Sequence, residues 1–223
     1  MNSIRAVLLV IAELVCASVA FSQTVSFQAK VSSNLPVFQI EYSGIKNEVT
    51  GFSAINSIAI RQNEKTVQTI HFSGDDVSNV RDLREAVQLR DINCDGYKDL
   101  LIEFLTGIHG DWWYHLYLFN PKTGTFVVYA GFSELPFKNV NCSTKQVTTS
   151  VNSGEAGCAY ESGLYRWENN ELIPIRIESQ EASDEKWSTF TRTIRTWRSG
   201  KESTRTVKIP GDDCHRVIFN SDR

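Results

Sequence analysis

The residues with the clearest chemical potential run from Asp91 to Leu100, Asp-Ile-Asn-Cys-Asp-Gly-Tyr-Lys-Asp-Leu. Oxygen-bearing side chains stand at loop positions one, three, five and nine, as Asp91, Asn93, Asp95 and Asp99, and Gly96 occupies position six. Alternate residues of a tight loop can aim several carboxylates at one centre, and a glycine permits the sharp turn that keeps them there. Calcium is a hard cation that takes six to eight oxygen ligands at roughly 2.3–2.6 Å, so it suits such a set. The backbone carbonyl of Tyr97 would supply the position-seven ligand. Without a cation, three carboxylates this close repel one another. The alternative is a metal-free Asx-rich hairpin turn, since Asp, Asn and Gly dominate turns. The ordered positions of the acids favour calcium.

The loop is not an EF-hand. That motif ends on a bidentate Glu at position twelve, where this chain has Ile102. Its flanks also read as strands, Ala86-Val87-Gln88-Leu89 before and Leu100 to Leu105 after. The metal would therefore clip a strand–loop–strand unit.

The elements that must position this loop are strands. Alternation or β-branched enrichment marks Val25 to Val31, Val37 to Tyr42, Ile55 to Arg61 and Thr66 to Phe72. The same signal marks Leu100 to Leu105, Trp113 to Phe119, Thr125 to Tyr129, Gln146 to Val151, Leu164 to Trp167 and Glu171 to Ile177. Trp187 to Trp197 and Thr204 to Ile209 follow, and Val217 to Phe219 adds a short last strand. Turn residues separate many of them, as at Asn120-Pro121-Lys122-Thr123-Gly124 and Asn152-Ser153-Gly154. Val77 to Ala86 is the one helical candidate, and Ser179 to Lys186 the best loop candidate. So many short strands predict an all-β chain, propeller-like or barrel-like, in one domain with one calcium-binding loop. The calcium decapeptide does not recur, which argues against a regular repeat-built propeller.

Residues 1–22 read as a signal peptide: Arg5 is the positive region, Ala6 to Ala20 the apolar stretch, and Ala20-Phe21-Ser22 the cleavage site. The domain then spans residues 23–223, and the protein is periplasmic or secreted. Cys16 follows Val15 and Glu13 lies just upstream, so no lipid-anchor motif is formed. No later segment is apolar enough for a membrane span. About 200 residues remain, enough to bury a core. Lys+Arg number 23 and Asp+Glu 26, a balance that makes nucleic acid a poor partner. Four cysteines remain, Cys94, Cys142, Cys158 and Cys214. An even count in an exported chain predicts two disulfides, with three connectivities open. One at Cys94 would restrain the calcium loop.

Catalytic motifs are lacking. The histidines His71, His109, His115 and His215 form no zinc-hydrolase spacing. His109 could be a base oriented by Asp111, but no nucleophile motif accompanies it, and a hairpin-end loop explains the segment more simply. Asp75-Asp76 and Asp212-Asp213 could serve a glycosidase only if two carboxyls met at a suitable separation; adjacent acids in glycine-containing segments read as solvated turns. The middle of the chain is aromatic-rich. Trp112 and Trp113 cannot both point inward on one regular strand, so one is a candidate contact residue unless a bulge intervenes.

Asp91 to Leu100 resembles the calcium loop of FG-GAP (integrin-type propeller) repeats. Leu116 to Phe126, Ser133-Glu134-Leu135-Pro136 and Tyr165 to Leu172 follow in an order similar to a family of exported bacterial calcium-loop proteins. One branch of that family contains immunity proteins that inhibit lysozyme-like effectors of a bacterial-killing type IV secretion system. The resemblance covers roughly Glu85 to Leu172. It implies a small propeller-like fold and a non-enzymatic binding protein whose partner is a peptidoglycan hydrolase. The immunity branch includes lipoproteins, a departure from this leader. Contact residues on that reading are His109, Asp111, Trp112, Trp113 and Tyr160, from the segments His109 to Trp113 and Tyr160 to Tyr165. Two further hypotheses are a carbohydrate- or cell-wall-binding module, with Trp112, Trp113 and Tyr114 as stacking platforms, and, ranked last, a metal-assisted hydrolase.

Overall fold

The computed structural model describes residues 22–46, 51, 53–72, 80–107 and 109–215. The signal peptide expected over residues 1–22, Asp75-Asp76 and the strand expected at Val217 to Phe219 lie outside the described residues, apart from Ser22. The described residues form three antiparallel sheets, each an up-and-down meander of consecutive strands. The first sheet holds β1 (Ser22–Lys30), β2 (Val37–Lys46), β3 (Ser53–Gln62) and β4 (Lys65–His71). The second holds β5 (Val87–Arg90), β6 (Asp99–Thr106), β7 (Trp112–Asn120) and β8 (Thr125–Tyr129). The third holds β9 (Phe137–Asn141), β10 (Gln146–Gly154), β11 (Ala159–Glu168), β12 (Glu171–Ala182), β13 (Thr189–Arg198) and β14 (Lys201–Pro210). Among the described residues each sheet keeps two edges, so the barrel alternative is corrected: none of the three closes on itself.

The second sheet lies between the other two. Successive side chains of a strand point to opposite faces, and here both faces of β6 are covered. Leu100 and Ile102 join Phe38, Ile40, Tyr42, Ile58 and Ile60 of the first sheet in one core. Leu101, Tyr114 and Leu116 pack with Phe137, Val147, Tyr165 and Trp167 of the third sheet in another. Burial on both faces explains why Leu100, Leu101 and Ile102 of β6 are apolar without alternation. A smaller cluster, Cys158, Phe190, Ile209 and Cys214, sits on the third sheet.

Bulges decide where alternation fails. Phe104 is the extra residue of β6, between the pairs Glu103–Tyr114 and Leu105–Trp113. Lys138 is the extra residue of β9 opposite Thr148 and Thr149. That puts Phe137 and Val140 three residues apart, and the lost period of two hid β9 from sequence reading. Pro174 lacks an N–H and is placed at a bulge in β12, where Ile175 goes unpaired. The helix expected over Val77 to Ala86 is corrected for its described part. Val80 forms a β-bridge to Ser53, and residues 81–86 are bends and turns. Val80, Leu83 and Ala86 carry a helix-like spacing but are buried in the first core as a covering turn. Leu83 lies over Gly44, where a Cβ would come within 2.6 Å of its Cδ1. Ser179 to Ala182 belongs to β12, so the loop expected from Ser179 to Lys186 begins after Ala182. Trp187, expected in a strand, precedes β13.

The cysteines pair as Cys94–Cys142 and Cys158–Cys214. Thiol labelling of the denatured, unreduced protein should modify none of the four. Peptide mapping should recover these two pairs and no other. Opening Cys158–Cys214 by paired Ser substitution should cost about 2–4 kcal/mol in denaturant melts, from the freed loop entropy of the unfolded chain; a midpoint unchanged from wild type would show that the bridge does not constrain folding.

Candidate metal centre

The loop between β5 and β6 has the turn that its sequence requires. Gly96 has φ +90° and Cys94 φ +60°, the left-handed region that glycine enters freely and other residues rarely. The loop touches all three sheets. Lys98 N donates at 2.8 Å to Val31 O, in the connection between β1 and β2 of the first sheet. Phe119 N of β7 donates to Asp99 Oδ1 at 3.0 Å. Cys94 is bridged to Cys142, in the turn between β9 and β10 of the third sheet. Arg90, just before the loop, donates to Asn139 Oδ1 and lies over the Phe137 ring.

Asp99 has no exposed surface. Its Oδ2 accepts from Ile92 N at 2.8 Å and Asn93 N at 3.3 Å, so one carboxylate holds both the start of the loop and β7. Burial pushes its pKa up, the three backbone amides pull it down, and the charge of Asp95 pushes it up again; the result is about 7, against the ordinary 3.8. Asp91 accepts from Asp95 N and Gly96 N, Asn93 Oδ1 from Asp95 N, and Asp95 from Tyr97 N and the Asn93 amide. Tyr97 itself packs its ring on Phe119, with centroids 5.6 Å apart.

The donor chemistry fits a hard cation. The four side chains offer oxygen ligands, and none of the three carboxylates forms an ion pair among the described residues. Asp91 and Asp95 are turned onto the loop's own amides, and among the described residues Asp91, Asp95 and Asp99 do not together form a group of metal-capable side chains converging within 4.8 Å. The groups that do converge, among the described residues, are Asp91/Cys94/Cys142 and Cys158/Cys214/His215. Each contains a disulfide, so its sulfurs are not free thiolates.

The contact residues expected from sequence separate into exposed and interior sets. Gly107 N donates to Asp111 O at 2.7 Å, and Gly110 N to Gly107 O at 3.0 Å, closing the β6–β7 hairpin. His109 is exposed at its tip. Asp111 accepts from Asn152 N at 3.3 Å, and Asn152 is the cross-strand partner of Tyr160. The structure therefore brings the two contact segments to neighbouring positions. Trp112 is the outward tryptophan, 39% exposed, with Lys138 Nζ 6.0 Å from its ring centre. Trp113 is half-buried, and a Cβ on Gly107 would lie 3.2 Å from its ring. Tyr114 and Tyr165 are core residues, so the three-ring stacking platform and the Tyr165 end of the second segment are corrected. Tyr160 donates to Glu178 Oε1 at 2.7 Å and carries Arg192 over its ring. Burial and the Glu178 carboxylate push its pKa up to about 12.

Sequence reading missed the support behind Tyr160. Gln180 donates to the carbonyls of Cys158 and Cys214 and accepts from Arg192, while Arg192 lies 3.6 Å from Glu178. Glu178 and Gln180 sit two apart on β12 and Arg192 of β13 lies opposite Gln180, so only the strand pairing makes them a network.

The pH dependence follows from Asp99. With its folded pKa raised, the folded state holds a proton that the unfolded chain releases above about 4. Metal-free protein should therefore lose stability as pH rises from about 4 to about 7, and show no further loss from this group above that. Asp99→Asn should flatten that slope in chelator-treated denaturation series. An unchanged slope in the variant would show that another group sets it.

No family model matches this sequence, and no curated protein matches it. Among solved structures, a Xanthomonas type IV secretion system related protein is similar, with a TM-score of 0.53 and 17% identity. The match covers 82% of this chain and 99% of that one, and at this identity the likeness is one of fold.

Proposed function

We propose that the protein is an exported calcium-binding inhibitor of a lysozyme-like peptidoglycan hydrolase, acting by binding and not by catalysis. The observation that carries this reading is the β6–β7 hairpin tip. Its exposed His109 and Trp112 stand on a turn closed by two backbone hydrogen bonds and braced through Asp111 to Asn152. A braced protrusion has little freedom to lose on docking, so its contacts are expressed as affinity. His109 and Asp111 would face the catalytic acid in the hydrolase cleft, and Trp112 would fill a saccharide subsite. The neighbouring Tyr160 and the half-buried Trp113 would border the contact.

Three observations support the wider setting. A solved structure of similar fold is that of a secretion-system-related protein, the context of the immunity branch that Glu85 to Leu172 resembles. The successive meanders are compatible with the blades of a small propeller. Two disulfides are compatible with a periplasmic or secreted protein. Calcium would be held by the side chains of Asp91, Asn93, Asp95 and Asp99 and by the Tyr97 carbonyl. It would offset the repulsion among the carboxylates and stiffen the junction behind the hairpin.

Calcium at a hundredfold excess over its dissociation constant should raise stability by about 2.7 kcal/mol, seen as a gap between melts with calcium and with chelator. Coincident melts, with no copurifying calcium, would remove the metal from this reading. Peptidoglycan hydrolysis by the producer's own secreted and periplasmic lytic enzymes should slow at micromolar protein. Trp112→Ala should weaken that effect while lowering stability by less than about 1 kcal/mol, the scale of an exposed cation–π contact. Sedimentation with purified peptidoglycan and no slowing of any enzyme would replace inhibition with wall binding.

A further inference from the structure

The third sheet carries a cavity that none of the residues considered above explains. It has a volume of about 520 Å³ and opens between the β10–β11 turn, the β12–β13 loop and the turn after β14. Glu155, Lys186, Trp187, Phe190 and Asp212 line it. This size lies within the usual range for small-molecule sites, roughly 300–1,000 Å³.

Two features point to a ligand. Oε2 of Glu155 is enclosed and accepts no hydrogen bond from the described residues. An enclosed carboxylate oxygen left without a donor is costly, and a ligand hydroxyl would supply one. Trp187 leaves 52% of its surface exposed. A large aromatic held outward beside a cavity is a natural stacking surface.

The walls are also set in advance. Trp187 takes φ +55°, and the loop that bears it is fastened by Asp184, which accepts from Lys186 N, Ser188 N and Oγ, and Thr189 N and Oγ1. Gly154 to Gly157 are four consecutive residues with positive φ, ending at the Cys158–Cys214 bridge. Gly211 N donates to Ser188 O at 2.8 Å, and a Cβ on Gly211 would lie 2.4 Å from Trp187 O. Backbone in sparsely populated conformations gathers at functional sites when its surroundings hold it there.

We propose that this cavity binds a short oligosaccharide, with one sugar ring stacked on Trp187 and its hydroxyls shared between Glu155 and Lys186. The charges select this class. A cation would meet Lys186, and an anion would meet Glu155 and Asp212. A purely apolar ligand would leave the Glu155 oxygen unsatisfied. A neutral polyol both donates and accepts, and its C–H face suits an indole. No lining residue belongs to the β6–β7 hairpin, so the site does not rest on the inhibitory reading.

The experiment titrates the full mature chain with chitotriose, cellotriose and maltotriose, read by tryptophan fluorescence and calorimetry. At least one should bind with a dissociation constant of about 1 mM or tighter. Glu155→Gln and Trp187→Ala should each weaken that binding by about tenfold or more, while Trp112→Ala leaves it unchanged. Melting curves of both cavity variants should match wild type, because Trp187 is exposed and Gln is isosteric with Glu. The proposal is overturned if none of the three sugars binds at about 10 mM, or if binding survives unchanged in Trp187→Ala.

Discussion

One carboxylate, that of Asp99, holds the centre of this molecule. It is fully enclosed and accepts three backbone hydrogen bonds, two from the start of the loop and one from β7. The same loop bonds to the β1–β2 connection of the first sheet through Lys98 and to the β9–β10 turn of the third through Cys94–Cys142. Three separately formed meanders therefore meet at nine residues. Burial opposes charge on Asp99 while the amides favour it. A nearby cation, such as the calcium proposed for this loop, would tip that balance toward the ionised form.

The junction matters because the second sheet has no solvent face along much of β6. Leu100, Leu101 and Ile102 are consecutive and all fully buried, so each face of the strand depends on a different neighbouring sheet. The first and third sheets could not shift without stripping one side of that core. Gln68 adds a further tie: its side-chain amide pairs with both the N–H and the C=O of Phe126, engaging backbone groups of edge strand β8. On the third sheet, which has two strands more than the second, cohesion passes to the Cys158–Cys214 bridge and the Gln180–Arg192 pair that grips its carbonyls.

Surfaces available for recognition sit at turns, where the sheets behind them supply rigidity. The hairpin tip at His109 to Trp112 and the loop at Trp187 share one design: a short turn, a single aspartate accepting hydrogen bonds, and an indole left outside. Asp184 is held well below the usual carboxylate range, first by the Ser188 hydroxyl and N–H and then by the Thr189 hydroxyl. Donors arranged in this way favour the charged form and hold the loop at once.

Strands were legible wherever alternation ran unbroken, because side chains of a strand point to opposite faces with a period of two and that signal is local. The oxygen pattern of Asp91 to Asp99, the need for glycine at position 96 and the outward position of one tryptophan at 112–113 were local too. What the sequence could not show depends on partners distant along the chain. The bulge at Lys138 concealed β9, and the spacing of Val80, Leu83 and Ala86 imitated a helix although these residues cover the first core as a turn. Choosing Cys94–Cys142 and Cys158–Cys214 from three pairings required the packing of the third sheet against the loop. The enclosure of Glu155 and the exposure of Trp187 likewise arise only where three turns converge. Periodicity says which way a side chain points along its own strand; burial and pairing are properties of what lies opposite, and only the folded chain decides that.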